Sequence, residues 1–171
     1  AERLARDAVD IADGRPSPGL MNAYSAWALA GAMRGDGETV RDALVKVDEV
    51  WERRPQAVDG VIGPETWAWA RGTLRTRAYA YALLGAPMAG RELDAAHERE
   101  VRVGLKGGAR SLRLMQALHM VKNRDLEGLT LAVQIGGEVP FSAQRRTIAT
   151  QLLDALPPQA RASEPAQRLR E

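Results

Sequence analysis

The sequence contains no cysteine. That removes disulfide scaffolds, thiol nucleophiles and Cys-ligated zinc sites from consideration. Aromatic residues are scarce at 5%, yet four of the eight are Trp, beside three Tyr and one Phe. Net charge is almost absent, since 24 Lys and Arg face 22 Asp and Glu. Long apolar runs are missing too. The best stretch, residues 19–33, is broken by Asn22 and Ser25 and falls short of the roughly 20 apolar residues a spanning helix needs. No charged segment leads into an apolar core and cleavage site, so no secretory signal is recognisable.

What is present is a folded composition. The chain has 171 residues, 45% of them hydrophobic and 27% charged. That apolar fraction and charge balance exclude a disordered chain, and the length fits one domain or two small ones. The near-zero charge conceals two halves. Residues 1–70 carry 8 basic and 12 acidic side chains, whereas residues 71–146 carry 13 and 7. Such an imbalance creates either a basic face for an anionic partner or two mutually attractive halves.

Helical periodicity dominates. Leu4, Ala8 and Ile11 form a stripe in the opening segment, which Asp13-Gly14 ends. Ser17-Pro18 reads as an N-cap followed by Pro at the first helical position, predicting a helix over 18–34. Val40, Leu44, Val47 and Trp51 predict another over 38–54. Further helices are expected over 64–84, 91–105, 109–122 and 125–135, the last ended by Gly136-Gly137. A final helix is capped by Ser142 and carries Ile148, Leu152 and Leu156. The most strand-like piece, residues 58–62, is only five long. The expected fold is all-α, a compact bundle of six to eight helices. Residues 1–88 form one half and residues 89–156 a second. The Ala-, Arg-, Glu- and Pro-rich residues 157–171 read as a disordered tail.

One motif is specific. Residues 58–69 read Val-Asp-Gly-Val-Ile-Gly-Pro-Glu-Thr-Trp-Ala-Trp. Asp59-Gly60 makes a tight turn, and Gly63-Pro64 launches a helix with Glu65 in its first turn. Trp67 and Trp69 are two apart on that helix and cannot share a face. The segment resembles the signature of peptidoglycan-binding modules. It is closest to the small helical domain accompanying certain phage-type N-acetylmuramidases. Asp59, Gly60, Gly63, Pro64 and Thr66 carry the resemblance, which covers residues 20–84. Where that family has a Leu-Gln pair in the preceding helix, this chain has Ala43-Leu44-Val45-Lys46. The resemblance implies noncatalytic binding of cell-wall glycan at the cell envelope, by Asp59, Gly60, Gly63, Thr66, Trp67 and Trp69. One Trp would be a stacking platform and Asp59 a polar contact. Without the resemblance, the chain reads as cytoplasmic.

Two alternatives stand beside this reading. Arg99, Arg102, Lys106, Arg110 and Arg113 surround one turn, and Arg145 and Arg146 start the last helix. Together they suit a nucleic-acid-binding or nucleoprotein-assembly protein. A lysozyme-like muramidase is the third reading. It needs a carboxylic acid kept neutral in an apolar pocket, and Glu127 and Glu138 do not stand in the Glu-Gly-Gly order of the related enzymes. No catalytic residue is therefore assigned. His97 and His119 lie 22 apart without ligand spacing, so neither a metal nor a cofactor is expected. No P-loop or nucleophile-elbow motif occurs.

Overall fold

The computed structural model describes residues 2–54, 73–138 and 142–170, and all the regular structure among them is helical. The helices are α1 (Glu2–Ala12), α2 (Pro18–Met33), α3 (Gly37–Glu52), α4 (Thr73–Leu84), α5 (Ala89–Arg102), α6 (Lys106–Lys122), α7 (Glu127–Glu138) and α8 (Ala143–Ala155). Two short ones follow, α9 (Pro158–Arg161) and α10 (Glu164–Arg168). The chain divides into two compact units, Ala1–Ala80 and Tyr81–Glu171.

In the first unit α2 and α3 form an antiparallel hairpin. The Ser17 hydroxyl accepts from the Leu20 N–H at 3.0 Å, and the Asp36 carboxylate accepts from the Thr39 N–H at 3.0 Å. Both satisfy a donor that the first helical turn leaves free. Gly31 lets the helices approach closely, because a Cβ there would sit 2.8 Å from Thr39 Cγ2. Leu20, Met21, Val47 and Val50 are buried, with Val9, Ala12, Tyr24 and Trp51 packed against them. The other described tryptophan, Trp27, is half-buried. It stacks on Tyr24 with ring centroids 6.3 Å apart and lies under the Arg6 guanidinium.

The apolar stripe expected on α1 is the wrong one. Leu4 and Ile11 are 66% and 84% exposed, while Ala5 is buried and Val9 and Ala12 meet the core. Ala5, Val9 and Ala12 have the same 4-and-3 spacing, so periodicity alone allows either face. The small residues win because they let α1 lie close against α2.

The second unit is built around α6, which packs against α5, α7 and α8. Leu112, Leu114, Met115 and Leu118 on α6 are fully buried, as are Leu93, Ile135, Ile148 and Leu152 from its neighbours. Two glycine pairs differ from expectation. Helix α6 begins at Lys106 and so includes Gly107-Gly108, drawn in by the burial of Ala109 and Leu112 and by the Ser111 hydroxyl donating to the Gly107 carbonyl at 3.1 Å. Helix α7 runs through Gly136-Gly137 to Glu138, whose carboxylate meets Arg110 at 3.5 Å. A glycine is tolerated in a last turn, where little helix remains to be disrupted.

The C-terminal segment also departs from its composition. Instead of a disordered tail, residues 158–168 form α9 and α10, with Ala166 and Leu169 buried and α10 packed on α7. Arg161 ties the segment back by donating to the Leu156 and Asp154 carbonyls at 2.8 and 2.6 Å. Pro158 and Pro165, which look like breakers in sequence, stand in first helical turns where the missing N–H has no partner to lose.

Four connections between helices close with the same device. Gly35, Gly85, Gly104 and Arg124 take positive φ values of 75°, 66°, 75° and 65°. Each next N–H reaches the carbonyl five residues back: Asp36 to Gly31, Ala86 to Tyr81, Leu105 to Glu100 and Asp125 to Met120. This pairing satisfies carbonyls the helix end leaves free, and a left-handed residue makes it possible.

Candidate functional site

Asp59, Gly60, Gly63, Thr66, Trp67 and Trp69 lie outside the described residues, as do Pro64 and residues 58–62. The basic residues are described, and the structure brings them together. Helices α5 and α6 are antiparallel, as Gln116 donating to Asp94 at 2.7 Å and Gly90 facing His119 require. Arg99 and Arg102 therefore end α5 where Lys106 starts α6, with Arg110 and Arg113 one and two turns further along. Helix α7 returns to the same end, where Glu138 pairs with Arg110. Four Cα steps then lead to Ser142, a span of at most about 15 Å. Helix α8 thus begins at this end too, carrying Arg145 and Arg146 in its first turn.

Six of the seven basic residues singled out in the sequence, Arg99, Arg102, Lys106, Arg110, Arg145 and Arg146, accordingly gather at one end of the α5–α8 bundle, while Arg113 stands at the middle of α6. The acidic neighbours at that end are Glu98, Glu100 and Glu138, leaving a balance of three positive charges. The opposite end holds Arg91, Lys122, Arg124, Arg161 on the Asp154 and Leu156 carbonyls, and Arg170 on the Arg161 carbonyl, against Glu92, Asp94, Asp125, Glu127 and Asp154, and so is balanced in charge. Arg102, Lys106 and Arg146 are exposed, whereas Arg99, Arg110, Arg113 and Arg145 are half-buried.

The cations are not placed for helix stability throughout. Arg99 and Arg102 sit in the last turn of α5, where the helix dipole favours them. Lys106 opens α6, and Arg145 and Arg146 stand in the first turn of α8. Neither first turn contains an acidic residue. A cation at a helix N-terminus is disfavoured by about 0.3–1 kcal/mol. Two positive helix ends and five cations near them produce a field that attracts anions. Sequence reasoning found these charges but missed the exposed Val101, Val103 and Leu105 between them. The signal was an apolar residue at every second position across a helix end, where amphipathic spacing would not place one.

Acid chemistry has little support among the described residues. Glu138 is exposed and paired with Arg110, and Glu127 is exposed at the start of α7. The Thr39 hydroxyl and N–H hold Asp36 below its ordinary value, the opposite of what a general acid requires. No group of three or more His, Asp or Glu among the described residues could hold a metal ion. Burial lowers the titration of His119, which lies beside Asn123.

Fold and charge together define an all-α helical-bundle protein with one basic end. Comparison with protein-family models, with curated proteins and with solved structures gives no match. No described helix is long and apolar enough to cross a membrane.

Proposed function

We propose that this chain is a noncatalytic helical binding module that engages a polyanionic partner through the basic end of its second unit. The observation that carries this reading is the gathering of Arg99, Arg102, Lys106, Arg110, Arg145 and Arg146 at one bundle end, with Arg113 further along α6, including positions where cations oppose the helix dipole. Such a surface recognises phosphate-bearing partners by counterion release, with nucleic acid the polymeric case. The test is a mobility shift with a single-stranded oligonucleotide across a salt series. Binding should weaken steeply with salt, and Arg102→Ala with Arg146→Ala should flatten that dependence by about one unit of log–log slope per lost contact. Absence of a shift at low salt, or a shift indifferent to salt, sinks the nucleic-acid reading.

A second reading is favoured by the 58–69 motif. Its likeness to peptidoglycan-binding modules supports retention on cell-wall glycan through Asp59, Gly60, Gly63, Thr66, Trp67 and Trp69. The two readings use different units and do not exclude each other. Sedimentation with insoluble cell wall tests the second. Retention should fall on Asp59→Ala and Trp69→Ala, and unchanged retention would show that this site is misassigned.

A further inference from the structure

Three departures from helix-building rules converge on the turn between α5 and α6. Its left-handed closure at Gly104 brings the Leu105 N–H onto the Glu100 carbonyl at 2.9 Å. Such a closure normally folds the residue after the glycine onto an apolar side chain in the last helical turn. Here that partner position is Glu100, and Leu105 stays 53% exposed. Leu105 is also the N-cap of α6, where it offers no side-chain acceptor. Ser or Asp would serve the helix better. Val101 and Val103 beside it are 58% and 59% exposed. Local rules are broken where function demands it, and every departure here leaves an aliphatic side chain in water.

The surroundings indicate what those side chains meet. Arg99, Arg102 and Lys106 flank them, and none of the three forms a salt bridge among the described residues. Glu98 and Glu100 are the acidic groups on the same helix end. Polymeric nucleic acid would use the cations and leave the aliphatics idle, since base stacking relies on aromatic rings and the turn carries none. An anionic bilayer uses both. Aliphatic tips enter the boundary between headgroups and acyl chains, and long basic stems lie along it with their charges at the headgroups.

We propose that the α5–α6 turn docks this chain on an anionic lipid surface, with Val101, Val103 and Leu105 entering the bilayer boundary and Arg99, Arg102 and Lys106 on the headgroups. The proposal rests on the reading of the basic end as an anion-binding surface. Cosedimentation of the full chain with phosphatidylcholine vesicles, with and without phosphatidylglycerol, tests it. Vesicles containing phosphatidylglycerol should be bound and neutral ones not. Lys106→Ala should weaken binding about fivefold. Val101→Thr with Val103→Thr and Leu105→Ser should weaken it at least about tenfold. That triple variant gains a helix cap, so thermal melting at or above the parent value separates lost docking from lost folding. Equal binding to both vesicle types, or a triple variant that binds like the parent, overturns the proposal. Oligonucleotide binding without vesicle binding overturns the lipid assignment and leaves the polyanion reading standing. Binding to neither removes both.

Discussion

The two ends of the α5–α8 bundle are built from the same helices but on opposite terms. At the end where α6 turns into α7, packing is close. Gly128 on α7 lies against the Ala117 carbonyl and 2.9 Å from Met120 Cβ, measured from where its own Cβ would be. Gln116 bonds Asp94, and Asn123 bonds the His119 carbonyl at 2.9 Å. At the basic end, Gly104 and Gly107 have open space where a Cβ would go. Aliphatic side chains stand in water, and cations sit against positive helix ends. One end holds the fold and the other is free to carry charge that the fold does not need. A binding surface can be poorly optimised for stability only where the core elsewhere secures the helices.

Substitutions at the two ends should therefore differ in sign. The largest effect is expected for Gly128→Ala. Its Cβ would collide with backbone and force α6 and α7 apart, lowering stability by about 2–3 kcal/mol. For a chain of this length that is a fall in Tm of roughly 4–12 °C by thermal denaturation. Gly107→Ala, the same change at the basic end, should instead raise stability by about 0.5–1 kcal/mol through helix propensity. If both destabilise alike, the contrast between the ends is broken.

Arg124 sharpens the comparison from the packed side. It stands in the left-handed conformation that glycine occupies in the three sister turns, so Arg124→Gly should stabilise by about 1 kcal/mol in denaturant unfolding. Lys106→Glu probes the other side. It should leave stability equal or raise it by about 0.5 kcal/mol, since the charge now suits the helix start, while weakening every anion-dependent interaction. A variant both less stable and unable to bind would mean that Lys106 is structural.

The smallest effect concerns pH. Burial lowers His119 from its ordinary value of 6.5, so below that value the unfolded chain takes up a proton more readily than the folded one. The stability this group contributes is complete above pH 6.5 and is lost as pH falls through the window beneath it. His119→Gln should reduce the drop in Tm between about pH 7 and about pH 5.5.

Much of the fold was legible because local chemistry specifies it. Ser17 and Ser142 cap the helices they precede, and Val40, Leu44, Val47, Leu112, Met115, Ile148 and Leu152 are buried as their spacing requires. Sequence and structure part where two faces have equal periodicity, as on α1, or where glycine and proline look like breakers. Gly107-Gly108, Gly136-Gly137 and Pro158 lie within helices because neighbouring helices compensate weak local preference. The basic residues of the candidate site could be named in advance, since charge is visible in sequence. That six of them share one end could not.

The scarcity of aromatics and absence of cysteine leave Leu, Ala, Val and Met to fill the interior, and their helical spacing, with caps at the right distances, determined an all-α chain. Periodicity is a local property, and no tertiary information is needed to read it. Tertiary structure alone decided which stripe of α1 faces inward and that residues 158–168 are ordered. It also decided that Arg99 and Arg146, 47 residues apart, belong to one bundle end. Those outcomes depend on which helices run antiparallel and how closely they pack, and both are set by contacts between residues distant in the chain.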